Sequence, residues 1–88
     1  MRFSAEIDVM PHAELLDPQG KAVRLGLEHL GLTAVADVRI GKHIRLVLDA
    51  ASEAEARAQV ETACRQLLAN PIMEGFTFGV SALAEVST

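Results

Sequence analysis

Two helix-start signals, each standing behind or ahead of stretches where apolar and polar residues alternate, constrain this chain more than any other feature. Phe3, Ala5, Ile7 and Val9 alternate with Arg2, Ser4, Glu6 and Asp8, the period-2 pattern of a strand buried on one face. Pro11 ends it, and residues 11–16 form a connection to Asp17-Pro18. Aspartate accepts hydrogen bonds from free amides at a helix N-cap, and proline suits the first helical position because its missing N–H had no partner there. Ala22, Val23, Gly26, Leu27 and Leu30 then recur on one helical face, Leu25 falls opposite them, and Gly31 supplies the C-terminal stop. The second signal is Ser52 with Glu55, a capping box followed by Ala56, Val60, Ala63, Cys64, Leu67 and Leu68 on one face. Asn70-Pro71 stops this helix, asparagine tolerating a left-handed turn and proline being unable to continue.

Between the helices the pattern predicts a hairpin over 34–40 and 44–50. Even positions are apolar in both arms: Ala34, Ala36, Val38, Ile40, then Ile44, Leu46, Leu48, Ala50. Paired residues share a face, so 40 should oppose 44 and 38 oppose 46. That register implies a three-residue connection, Gly41-Lys42-His43, or a bulge beside the turn. A last strand carries Ile72, Phe76, Phe78, Val80 and Ala82, with Gly75 and Gly79 as expected bends. The predicted order is β-α-β-β-α-β, a two-layer α+β fold of ferredoxin-like order, its antiparallel sheet carrying both helices on one face. Residues 1–88 read as a single domain.

At 88 residues a single core is marginal, and small folds lean on disulfides, metals or association. One cysteine excludes an internal disulfide, and three scattered histidines offer no metal-ligand spacing. Association is the remaining support, so an oligomer is expected. Eight basic against twelve acidic residues give a net charge of −4, the wrong sign for a non-specific phosphate binder. Only Phe3, Phe76 and Phe78 could stack on a base, which argues against nucleic-acid recognition. No apolar run approaches the roughly 20 residues that span a bilayer, and the N-terminus lacks a signal-peptide pattern. The chain reads as cytoplasmic.

The hairpin register sets Arg39 opposite Arg45 on the outer sheet face, with Lys42 and His43 at the adjacent turn. Like charges directly across a strand pair are destabilising. The pair is either an anion site, a contact for an acidic surface of another protein, or a solvated face neutralised by Glu6 and Asp8. Cys64 sits on the apolar stripe and reads as a buried, inert thiol. His12 and His29 are isolated, and Asp17 reads as a cap. Gly20 is harder to dismiss, since glycine in a first helical turn costs about 1 kcal/mol relative to alanine; something approaches its backbone closely. The acidic residues Asp8, Glu14, Asp17, Asp37 and Asp49 have no metal-site spacing. No nucleophile with its base, metal cluster or carboxylate pair stands out, so no catalytic residue is assigned.

Three segments nevertheless occur together in an order that plain fold-building would rarely choose: Leu16-Asp17-Pro18-Gln19-Gly20, Asp37-Val38-Arg39 with Gly41-Lys42, and Cys64 with Leu67-Leu68-Ala69-Asn70-Pro71. Over residues 2–85 the chain resembles the PurS family, the small subunit of phosphoribosylformylglycinamidine synthase in purine biosynthesis. The resemblance implies a non-catalytic subunit, without a cofactor of its own, of an ATP-dependent amidotransferase. In that system a PurQ glutaminase releases ammonia, and a PurL synthetase uses ATP, Mg²⁺ and ammonia to make formylglycinamidine ribonucleotide. The small subunit bridges the two and helps retain ammonia, and the implied assembly includes a homodimer or tetramer. Asp17, Gln19, Gly20, Arg39, Gly41, Lys42, Arg45, Asn70 and Pro71 are the candidate interface or structural-motif residues. Leu25 and Gly75-Phe76 depart from the family pattern, where a polar residue and an acidic-aromatic pair would be ordinary. The strand-helix order itself is equally open to a small-molecule regulatory module of the ACT type and to a small dimeric ferredoxin-like enzyme.

Overall fold

In a computed structural model, residues 1–83 are described and fall into β1 (Arg2–Pro11), α1 (Pro18–His29), β2 (Lys42–Asp49), α2 (Glu53–Ala63) with a π-helical turn (Cys64–Leu68), and β3 (Glu74–Ala82). Residues 84 and 85, the end of the stretch that carries the resemblance, lie outside the described residues. The three strands form one antiparallel sheet in the order β2-β1-β3. Alternation in β1 does what the sequence predicts: Phe3, Ala5, Ile7 and Val9 are buried, with Leu48, Leu46 and Ile44 of β2 opposite Phe3, Ala5 and Ile7. On the other flank Val80, Phe78 and Phe76 stand opposite Ala5, Ile7 and Val9. α2 lies over this face and adds Ala56, Val60 and Cys64 to the core.

The capping box starts α2 as expected. The Ser52 hydroxyl accepts from Glu55 N at 3.2 Å, and the Glu55 carboxylate reaches back one residue further than usual, to Ala51 N at 3.2 Å. Gly31 ends α1 at φ +88°, a conformation that favours glycine. Gly75 and Gly79 do not break the β1–β3 ladder; they pair with Met10 and Glu6 inside it.

The fold departs from the predicted one in three places. Residues 34–40 are not a strand, so the hairpin does not form; residues 35–41 make no backbone–backbone hydrogen bond among the described residues, and Lys42 and His43 belong to β2 rather than to a turn. Their alternation is real, but among the described residues no strand pairs with them. α1 does not share the sheet face with α2; it stands off at one end, barely in contact with any other element, and Leu30 of its apolar stripe is 76% exposed. Finally, Asn70 takes no left-handed turn, because no non-glycine residue among the described residues has positive φ. The helix instead ends through the π turn, closed by Ala69 N donating to Cys64 O at 3.0 Å, and Asn70 organises the following corner.

The shape follows from this. The Cα radius of gyration is 17.1 Å and the chain spans 50 × 33 × 15 Å, whereas a compact domain of this length would have a radius near 12 Å.

Candidate partner interface

Asp17 is the centre of the region away from the sheet. Its Oδ1 accepts from Gly20 N at 3.0 Å, the expected cap, and its Oδ2 accepts from Ile40 N at 2.7 Å. One carboxylate therefore joins the start of α1 to the segment that precedes β2. The Ile40 amide, then the Gly20 amide, holds its carboxyl below the usual aspartate range, since hydrogen bonds to the ionised form favour it. The helix opens beside that same segment: a Cβ on Gly20 would collide with Val38 O. That contact explains the glycine in a first turn.

Arg39 closes the bracket. Its guanidinium donates to Ala13 O at 2.9 Å and Leu15 O at 2.5 Å, and its Nε pairs with Asp37 at 3.2 Å. Arg24 of α1 donates to Val35 O at 3.3 Å. Gly41 is pressed against β1, where a Cβ would collide with Val9 O and the Met10 sulfur. Loop 12–17, the first half of α1 and residues 35–41 thus form one cross-braced lobe around a cleft of about 260 Å³.

The outer sheet face holds a second cluster. Arg45 does not oppose Arg39; it is paired with Glu6, to which it donates at 2.7 Å. His43 lies between two carboxylates, Nδ1 2.7 Å from Asp8 and Nε2 2.5 Å from Glu6. A neutral imidazole has one N–H and one lone pair, so both contacts are favourable only for the imidazolium. Asp8 first, then Glu6, raises the His43 pKa above its ordinary 6.5; His43 first, then Arg45, lowers that of Glu6 below 4.5. Of the neutralisation considered from the sequence, only the Glu6–Arg45 pair forms as expected; Asp8 pairs with His43, and Arg39 lies away from this face on Asp37 and two carbonyls. The carboxylates approach opposite ends of the ring, and among the described residues no group of three or more His, Cys, Asp or Glu is placed to hold a metal ion.

The Asn70-Pro71 corner is the third feature. Asn70 N donates to Glu74 Oε1 at 2.8 Å, Ile72 N donates to Asn70 Oδ1 at 3.1 Å, and His12 N ties the corner to β1 through Met73 O at 2.9 Å. Ile72, expected in the last strand, is outside it and exposed. Beside the corner Arg65 stacks over Phe76 and Arg57 over Phe78, 5.5 and 5.4 Å from the ring centroids. Periodicity marks both phenylalanines as inward; which cations cover them depends on the crossing of α2 over β3, and the sequence carries no signal for it. Cys64 is fully buried, and burial pushes its thiol pKa up. Gln19 and Lys42 are exposed, with no side-chain role in either cluster.

The sequence profile described as "PurS: Phosphoribosylformylglycinamidine (FGAM) synthase" matches residues 4–82. The chain belongs to the PurS family. It is 46% identical to the PurS subunit of phosphoribosylformylglycinamidine synthase from Synechocystis, over 92% of this chain and 81% of that protein. It is 33% identical to the Bacillus subtilis PurS subunit, over 89% and 92% of the two chains. A solved structure of B. subtilis PurS superposes with a TM-score of 0.82 at 32% identity, covering 91% of this chain and 99% of that one. A chain in the structure of PurLQS from Thermotoga maritima superposes with a TM-score of 0.84 at 30% identity, covering 92% and 99%. The α+β fold, with its antiparallel sheet and two helices, is therefore the PurS fold, and the chain is a PurS subunit of phosphoribosylformylglycinamidine synthase, an enzyme of purine biosynthesis.

Proposed function

We propose that this chain acts as a non-catalytic accessory subunit, bridging a PurQ-type glutaminase and a PurL-type synthetase and assisting the passage of ammonia between them. One observation carries the reading: Asp17, Gly20 and Arg39 are engaged with the chain's own backbone. Residues of a reacting centre would face a substrate; these build a shape. The T. maritima relative, a chain of a PurLQS structure, supports partners of those two kinds, and the exposed apolar stripe of α1 supports self-association into a homodimer or tetramer. ATP and Mg²⁺ are needs of the synthetase partner, and the complex works in the cytoplasm.

Reconstitution tests this. The isolated chain, given glutamine, ATP, Mg²⁺ and formylglycinamide ribonucleotide, forms neither glutamate nor ADP above background. With both partners, glutamine-dependent synthesis requires the chain, whereas synthesis from added ammonium salt by the synthetase proceeds without it. Turnover by the isolated chain that survives repurification and disappears in a point variant would overturn the reading. So would glutamine-dependent synthesis that is unchanged when the chain is omitted.

A further inference from the structure

In an antiparallel ladder each residue sends its N–H and C=O to the same side, alternately toward one neighbour and the other. His12 N donates to Met73 O and Leu83 N to Arg2 O, both at 2.9 Å. In the unbroken β1–β3 register, odd-numbered residues of β3 therefore bond to β1, and even-numbered ones turn outward. Asn70 O meets Glu74 N at 2.7 Å. The backbone groups of Phe76, Phe78, Val80 and Ala82 have no partner among the described residues. Proteins blunt such edges with charge, proline or a bulge. From Gly75 to Leu83 this edge carries none of them.

Two features border it on the side of α2. Arg57 lies over the Phe78 ring, and its guanidinium has no hydrogen-bond or ion-pair partner among the described residues. Two residues along the strand, Phe76 lines a cavity of about 480 Å³ together with Cys64, Ala69 and Pro71. We propose that an extended segment of a partner subunit adds to the free edge of β3 as a fourth strand, placing a carboxylate side chain against Arg57 and, two residues away, an apolar side chain in the cavity beside Phe76. The proposal rests on the reading of this chain as a bridging subunit and gives that bridge one of its contacts.

Residues opposite Phe76 and Phe78 in an added strand point to one face and stand two positions apart, so a single segment reaches both features. Backbone bonds along an edge supply affinity whatever the sequence, and pockets for alternate side chains supply the choice of partner. A guanidinium stacked on a ring still presents its N–H groups at its rim, where a carboxylate accepts two parallel bonds. Within the chain, Glu61 one turn along α2 is held by Arg65 at 2.9 Å instead. Nor does a second copy supply the carboxylate: β3 has no acidic side chain from Gly75 to Leu83, so pairing β3 with β3 would leave each Arg57 unanswered. Charge thus points to a different chain.

Amide hydrogen exchange of the full chain, alone and in the complex reconstituted with the glutaminase and synthetase subunits, reads the edge by parity. Alone, the amides of Thr77, Gly79 and Ser81 should be slow and those of Phe76, Phe78 and Val80 fast. In the complex the second set should slow tenfold or more, so that the alternation disappears. Alternation that persists in an assembled complex overturns the proposal and leaves the bridging reading standing. Even-numbered amides already slow in the isolated chain also overturn it, because the edge is then filled without a partner. A chain that binds neither subunit overturns both readings. In a second arm, Arg57→Glu should raise the dissociation constant of the chain from the complex tenfold or more, with unchanged far-ultraviolet circular dichroism, and Arg57→Lys should lose less. An unchanged dissociation constant for Arg57→Glu overturns the carboxylate contact on which the choice of partner rests.

Discussion

The two halves of this molecule spend their apolar residues differently. In the sheet with α2, Ile7, Val9, Val60 and Cys64 are completely buried and each strand finds its pairing within the chain. In the lobe of α1 and residues 35–41, comparable apolar residues stay open, and order comes from a few polar anchors on Asp17, Arg24 and Arg39. Burying an apolar side chain stabilises by about 1.5–3 kcal/mol, whereas a typical internal hydrogen bond is worth about 1 kcal/mol net. The sheet half carries the stability of the single chain. The lobe leaves its apolar surface open within the chain.

Substitutions in the two halves should therefore behave differently, and the contrast is largest in the core. Ile7→Ala is expected to lower stability by about 2–5 kcal/mol in urea denaturation, the range for truncating a buried aliphatic residue. Leu30→Ala, of similar chemistry but on the lobe, should change the unfolding of the dissociated chain by no more than about 0.5 kcal/mol and act instead on the dimer dissociation constant. Equal losses of monomer stability from the two would erase the distinction. Next comes Gly20→Ala, whose Cβ collides with Val38 O. An overpacking cost of about 1–3 kcal/mol falls on the lobe alone, so thermal unfolding of the sheet stays in place while assembly weakens. A sheet that melts early in this variant would show the halves to be one cooperative unit. Ser52→Ala sharpens the other side: loss of the α2 cap should cost about 1 kcal/mol in global unfolding and leave assembly unchanged.

The smallest effect is electrostatic. His43 has a raised pKa in the folded chain, so its contribution is complete below its unfolded value, 6.5, and is lost as pH rises through the folded value. Glu6 behaves oppositely: its pKa is lowered, so its contribution is complete above 4.5 and is lost as pH falls. Both groups are exposed and screened, so the slopes are shallow. Urea midpoints of the wild type should decline slightly from pH 6 to 9, and those of His43→Gln should lack that decline. Parallel profiles would remove His43 from the β1–β2 latch.

How much of this the residues announce depends on where each partner lies. β1, both caps and the apolar face of α2 are legible because their partners are a turn away or across a chain-internal ladder. Gly20 signals a close approach through its propensity cost alone, and Val38 O is the group that approaches. Residues 34–40 mislead because alternation reports that a segment suits pairing, never whether an edge is at hand to pair with. The Asp17–Ile40 bond spans 23 residues and fixes the lobe, yet Asp17 announces only its local role as a cap. The π turn after Ala63 has no composition signal either, and it is what sets Leu67 outward and Leu68 inward.

Amide hydrogen exchange as a function of protein concentration tests the central claim most directly. The amides of β1 draw their protection from the sheet and should exchange at one slow rate at every concentration. Those of residues 35–39, which have no backbone–backbone partners among the described residues, should exchange fast once dilution has left the chain dissociated. Residues 35–39 exchanging as slowly as β1 in the dissociated chain would contradict the account.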